Sequence, residues 1–232
     1  MVAQPHSVLP TPEAVICDLD GTLVDTVPTR ITAWLTTFAE FDIPADRDHV
    51  ASLIGSDGTW LAERVAERAG RELAADAAEA IDRRAGAVYG DLNTDPRPLP
   101  GVGRFLDAVT AAGLPWAVAT SSRPQQVRAS LAALRRPKEP IVIDGQAVAR
   151  AKPEPDLLLA AAERLATAPS ACWCVGDSRW DMLAAVAAGM TPIAVTTGAA
   201  TDADLRDAGA RLVVARIDEL VDQIPAQAEA TA

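Results

Sequence analysis

The segment ICDLDGTLVDT, Ile16 to Thr26, ends an apolar run with two carboxylates one residue apart and follows them with a glycine and a threonine. Residues two apart in a strand share a face, so Asp18 and Asp20 project together while Leu19 points the other way. Two carboxylates ~4 Å apart repel by about 4 kcal/mol at an effective dielectric of about 20, so the pair invites a shared proton or a cation. Asp-Gly is also an ordinary turn, and aspartate is frequent at strand ends, which leaves a purely structural reading open.

Three further stretches end apolar runs in reactive groups. In AVATSS, Thr120, Ser121 and Ser122 offer hydroxyls and backbone N–H groups suited to a phosphoryl oxygen, although a helix N-cap uses the same residues. In AKPEPD, Lys152 precedes two prolines that fix its backbone direction and start a helix near Pro153; most lysines, however, are solvated surface charges. In CVGDSRWD, Asp177 and Asp181 stand four apart, on one face of an opening helical turn, where carboxylates also serve as simple dipole partners. Each signal has a bland reading. Together they place a carboxylate pair, a hydroxyl, an ammonium and a second carboxylate pair at four strand ends, the set that phosphoryl transfer requires.

Composition narrows the chemistry. The two histidines, His6 and His49, make a histidine-based mechanism improbable. The formal charge of −11 disfavours nucleic acid, which is bound largely through clustered Lys and Arg. No apolar run approaches the ~20 residues a membrane helix needs. The opening MVAQPHSVLPTPEA lacks the basic start and apolar block of a signal peptide and reads as a loose leader, so a cytoplasmic location is expected. Cys17, Cys172 and Cys174 lie in apolar runs and fit buried small hydrophobes rather than a disulfide framework or zinc site.

The elements that must position these groups alternate. Apolar β-branched runs at Ala14–Cys17, Trp116–Thr120, Ile141–Ile143, Ala171–Val175, Pro192–Thr196 and Arg211–Val214 read as strands buried on both faces. Amphipathic stretches at Val102–Ala112, Pro124–Leu134, Glu154–Ala166, Trp180–Ala188 and Asp202–Ala208 read as helices between them. The fold expected is α/β, a Rossmann-like doubly wound parallel sheet, which binds ligands at the carboxyl ends of its strands. From Val27 to about Asp91 no strand is evident. Val27, Ile31, Trp34, Leu35 and Phe38 recur at helical spacing, TWLAERVAERAG reads as a second helix closed by Gly70, and Glu72 to Tyr89 as a third. We therefore expect a core of residues 1–25 and 98–232 with an all-helical insert, 26–97, that ends in the proline-rich TDPRPLPG. The closing PAQAEATA reads as a frayed tail.

In order, DLDGTLVDT, VATSS, KPEPD and GDSRWD resemble the four motifs of the haloacid dehalogenase-like superfamily of hydrolases. The resemblance runs through the chain after the leader, and the helical insert resembles the family's small cap domain. It implies that Asp18 is the nucleophile forming an aspartyl phosphate and that Asp20 is the general acid and base. It further implies that Thr120 and the backbone N–H of Ser121 hold a phosphoryl oxygen, and that Lys152 neutralises charge on Asp18 and the phosphate. Mg2+ would be ligated by Asp18, Asp177 and the main-chain carbonyl of Asp20, with Asp181 in support.

The activity implied is a magnesium-dependent phosphatase of a small phosphorylated metabolite, such as phosphoglycolate or a sugar phosphate. Family dehalogenases lack the second aspartate of the first motif, and phosphonate-cleaving members use a cap lysine that this insert does not have. A sugar phosphomutase is the alternative, although such members commonly carry a histidine where Arg30 stands; a phospho-ligand binding protein without turnover is another. Arg30 and LIGSDGTW, Leu53 to Trp60, are the candidates for recognising the leaving group. Arg30 would meet either a substrate anion or a cap carboxylate, while Trp34 and Trp60 are expected to fill the cap core. A monomer or weak homodimer is expected.

Overall fold

The computed structural model describes residues 9–225. Residues 1–8 and 226–232, with His6 and most of the expected leader and tail, lie outside the described residues. The described end of the leader is pinned rather than loose, since Leu9 is buried and Trp173 Nε1 donates to the Pro10 carbonyl at 2.8 Å.

Six strands, β1 (Ala14–Cys17), β2 (Trp116–Ala119), β3 (Ile141–Ile143), β4 (Cys172–Gly176), β5 (Thr191–Val195) and β6 (Leu212–Val214), form one sheet in the order β3-β2-β1-β4-β5-β6. Every pairing is parallel. From β1 the chain builds outward through β2 to β3 and then crosses to β4 on the other side. The β1/β4 boundary is thus the switch point where the connections diverge and a crevice opens. Period-two alternation sorts the central strands between two cores. Val15, Cys17, Val118 and Val175 pack with Phe105, Leu106 and Val109 on one face. Ala14, Ile16, Cys172 and Cys174 pack with Leu157, Leu158, Ala184 and Ala185 on the other. The three cysteines are free and buried, as expected of small core residues.

The insert holds four helices: α1 (Val27–Glu40), α2 (Arg47–Leu53), α3 (Gly58–Arg68) and α4 (Ala75–Leu92). Pro28 sits in the first turn of α1, where its missing N–H costs no hydrogen bond, and Gly70 follows α3 at φ +73°. The sequence reading missed α2, whose seven residues are too few to display a period; its signal is Asp46, which caps the helix by accepting from the His49 N–H at 2.8 Å. The insert has its own apolar core, in which Phe38 is fully buried and stacks on Trp34 with ring centroids 5.5 Å apart. Its two linkers lie side by side: Val24 pairs with Pro98, Asp25 N–H donates to the Arg97 carbonyl at 2.9 Å, and Leu99 N–H to the Leu23 carbonyl at 3.0 Å.

The remaining helices are α5 (Val102–Ala111), α6 (Pro124–Ala133), α7 (Asp156–Arg164), α8 (Arg179–Ala187) and α9 (Asp202–Asp207). Two of the motifs sit differently on their helices than expected. Helix α7 starts at Asp156 rather than near Pro153, and Asp177 precedes α8 instead of lying on its first turn. Lys152 and Asp177 therefore project from loops at the strand ends.

Candidate active site

Backbone pairing delivers Asp18 to the crevice: its N–H donates to the Val175 carbonyl at 2.9 Å, one residue beyond the end of β1. Lys152 arrives from the loop before α7 as a buried ammonium, 1% exposed. Its Nζ lies 2.5 Å from Asp18 Oδ1, 2.7 Å from Asp181 Oδ1 and 2.7 Å from the Ala119 carbonyl. Asp181 is held by a capping box at the start of α8, its Oδ2 accepting from Ser178 N–H at 3.0 Å and Ser178 Oγ at 2.5 Å. Asp177 is held by Thr22, whose Oγ1 donates to it at 2.7 Å. Gly21, at φ +93°, and Gly198 both abut this carboxylate, and a Cβ at either would collide with it.

Asp18, Asp177 and Asp181 thus bring ligand oxygens within 4.8 Å of one another in a buried site. Three carboxylates face one ammonium, which leaves two negative charges without a partner. Burial pushes the Asp18 carboxyl up to about 7, with Lys152 opposing and Asp181 and Asp20 adding to the rise. Burial, then Asp18 and Asp181, likewise raise Asp177 well above the carboxylate range. For Lys152, burial works against the charge, yet Asp18 and Asp181 outweigh it and raise its pKa. Hard oxygen donors with a deficit of two charges fit a divalent cation, and no soft ligand is among them.

The Asp20 carboxylate turns toward the insert and does not join this group. It accepts from Arg30 at 2.7 Å, Thr26 Oγ1 at 2.6 Å, Ser122 Oγ at 3.0 Å and Tyr89 Oη at 3.1 Å. Burial would raise its pKa, but Arg30 and the hydrogen bonds from Thr26, Arg30 and Ser122 together hold it below the usual range. Any metal contact by Asp20 is therefore left to its main-chain carbonyl. The carboxylate that Arg30 meets belongs to the core, at Asp20, rather than to the insert. The guanidinium lies 3.6 Å from the centroid of the Tyr89 ring, which fixes its plane.

Thr120 and Ser121 follow β2, both against the same cleft. Thr120 Oγ1 accepts from Ser122 N–H at 3.1 Å, whereas Ser121 Oγ donates to the Gly55 carbonyl at 3.0 Å and so ties the core to the insert. Further ties are Asp57 N–H to the Lys152 carbonyl at 3.0 Å and Trp180 Nε1 to the Ser52 carbonyl at 3.2 Å. Trp34 both fills the insert core and lines the cleft, while Trp60 packs edge-on against Trp180 at 5.1 Å rather than inside the insert alone. The sequence reading missed Tyr89, Thr26 and Gln126, and it gave Ser122 a phosphoryl oxygen rather than Asp20 as its partner. Of the three, Thr26 alone stood inside a quoted motif, ICDLDGTLVDT.

Comparison with known proteins matches this arrangement to one family. Residues 12–189 match the family model described as haloacid dehalogenase-like hydrolase. The chain is 32% identical over 185 residues to hexitol phosphatase A of Escherichia coli, covering 79% of this chain and 83% of that protein. It is 33% identical over 204 residues to the phosphoglycolate phosphatase of Escherichia coli, covering 79% and 81%. A solved hydrolase from Pseudomonas syringae superposes with a TM-score of 0.86 at 28% identity, over 90% of this chain and 96% of that one. On the strength of the matched model and relatives, this chain belongs to the haloacid dehalogenase-like hydrolases.

Proposed function

We propose that the protein is a magnesium-dependent phosphohydrolase of a small phosphorylated metabolite, of the phosphoglycolate or sugar-phosphate type, working through an aspartyl phosphate on Asp18. The observation that carries this reading is the Lys152 ammonium wedged between Asp18 and Asp181, beside Asp177, with Asp18 lining the same cleft as Thr120 and Ser121. A divalent cation held by Asp18, Asp177 and the Asp20 carbonyl, with Asp181 in support, would supply the positive charge that lets an anionic carboxylate approach an anionic phosphoryl group. Uncorrected, a repulsion of about 4 kcal/mol would cost about three powers of ten in rate.

The chain's own groups divide the work. Asp18 attacks phosphorus as the ester P–O bond breaks, and Asp20, having first taken a proton from solvent, gives it to the departing oxygen. Asp20, again anionic, then takes a proton from water; the resulting hydroxide attacks phosphorus and frees Asp18 and inorganic phosphate. Thr120 and the Ser121 N–H orient the phosphoryl oxygens, and Lys152 offsets their charge. The four donors around Asp20 favour its anion and so suit the second half-reaction as the protein stands. The insert covers the cleft and limits water during the first.

Incubation with p-nitrophenyl phosphate is expected to release nitrophenolate with Mg2+, to stop on chelation and to recover when Mg2+ is restored. A protein that only binds phosphate esters would release none. Interconversion of glucose 1-phosphate and glucose 6-phosphate would point to a mutase instead; Arg30 at the position of the mutase histidine argues for the hydrolase.

Metal binding should also be visible in stability. Asp18 and Asp177 have folded pKa values above the unfolded one. Stability is then full below about pH 3.9 and falls as pH rises through the folded values, where the buried carboxylates must ionise. A cation that binds only the folded, ionised cluster reverses that loss. At pH 7.5 and about 100 times the dissociation constant, Mg2+ should add about 2.7 kcal/mol, a rise in Tm of about 5–10 °C. At pH 5, where protons compete for the same oxygens, the rise should be smaller. Equal shifts at both pH values, or none, would count against the cluster as the metal site.

A further inference from the structure

Between α1, α4 and the segment Ile54–Gly58 lies the space left for the ester's other half. Its walls are mostly uncharged, with Trp34, Leu61 and Ala85 among them. We infer that the protein acts on phosphate esters whose leaving group carries hydroxyls and no charge, and discriminates against leaving groups bearing a carboxylate or a second phosphate. This rests on the phosphohydrolase reading and chooses between the two substrate types it allows.

Charge pairing carries the inference. Among the described residues, Arg30 is the one cation lining this space, and its guanidinium is already bound to Asp20 at 2.7 Å. A further cation, Arg123 at the N-cap of α6, is bound to the lining residue Asp82, with two bonds on Asp82 Oδ2 at 2.6 and 3.0 Å. Lys152 is held between Asp18 and Asp181. A leaving group with a carboxylate would enter with no free counter-charge and would face the Asp82 carboxylate. An anion desolvated in that way is disfavoured strongly. Any pairing it made with Arg30 would have to be shared with Asp20, the group assigned to protonate the leaving oxygen.

Hydroxyls, in contrast, find both donors and acceptors. Arg30 is 9% exposed and its Nε is buried with no hydrogen-bond partner. Gln126 Oε1 accepts from Arg123 N–H at 3.0 Å and from Arg30 at 3.4 Å, which turns Nε2 toward Gly86, where a Cβ would collide with it. Asp82 Oδ1, spared by Arg123, lies against Gly58, which likewise has no room for a Cβ. Two N–H donors and one carboxylate acceptor beside an apolar wall suit hydroxyls, which donate to Asp82 as well as accept, whereas an ionised acid cannot donate and is repelled by Asp82.

The test uses matched esters of equal size with the purified protein and Mg2+: 2-hydroxyethyl phosphate against phosphoglycolate, and glycerol 3-phosphate against 3-phosphoglycerate. Each pair differs by a CH2OH in place of a carboxylate. We expect kcat/KM at least tenfold higher for the alcohol in both pairs. Equal or higher values for the carboxylates would overturn the inference while leaving the hydrolase reading intact. No turnover of any ester, p-nitrophenyl phosphate included, would overturn the hydrolase reading and the inference with it. Asp82→Asn, which releases Arg123 beside the space, should shift the ratio at least fivefold toward the carboxylates. A folded variant with an unchanged ratio would overturn the role given to the Asp82–Arg123 pair.

Discussion

Asp18→Asn is expected to lower kcat by a factor of at least about 10^4 while leaving a folded protein. The amide has the shape of the carboxylate, and its oxygen can still accept from Lys152 Nζ, but it has no anionic oxygen with which to attack phosphorus. The substitution also removes one of the three clustered carboxylates, so in the absence of metal it relieves repulsion rather than creating it. The melting temperature without Mg2+ should therefore equal or exceed that of the parent, and the gain on adding Mg2+ should shrink because one ligand is neutral. Initial rates together with melting curves check both halves. A variant that melts normally yet keeps more than a few per cent of the rate would remove Asp18 from the role of nucleophile.

The second large effect is expected at Lys152, where Lys152→Met keeps most of the side-chain volume and deletes the charge. In the parent, Asp18 and Asp181 raise the lysine's pKa, so the stability it contributes is complete below about pH 10.4 and is lost only as pH rises through the folded value. Without it, two buried carboxylates lose their partner, which costs about 3–5 kcal/mol at neutral pH, or a fall in Tm of roughly 6–20 °C. Protonation offers those carboxylates an escape, so the deficit against the parent should narrow as pH falls toward 4. Turnover should drop by about 10^2 to 10^3, because the phosphoryl charge loses a fixed cation. A variant with parental stability at pH 7.5 and parental kcat would place Lys152 outside the cluster's electrostatics.

The candidate-site loops were readable because they follow strands of one parallel sheet. β-branched runs mark the strands, and a parallel sheet obliges their carboxyl ends to share one edge; Asp18, Thr120, Lys152 and Asp177 follow from that rule. The insert was readable as helical from the spacing of Val27, Ile31, Trp34 and Phe38, but periodicity says which face is apolar and not what the polar face will meet. Arg30 illustrates this: its contact with Asp20 spans the junction of insert and core, and the Tyr89 and Ser122 contacts with the same carboxylate span 69 and 102 residues of sequence. Such pairs leave no trace in local spacing. The Asp82–Arg123 pair, 41 residues apart, was hidden for the same reason.

The side-by-side linkers at Val24 and Pro98 have a consequence for how such a protein changes over generations. Because the chain departs from the sheet and comes back at nearly the same point, the length of the excursion places no demand on strand register. A different excursion could be grafted at that point, and the ester preference rewritten, provided it again brought groups such as Arg30 and Tyr89 to the Asp20 carboxylate.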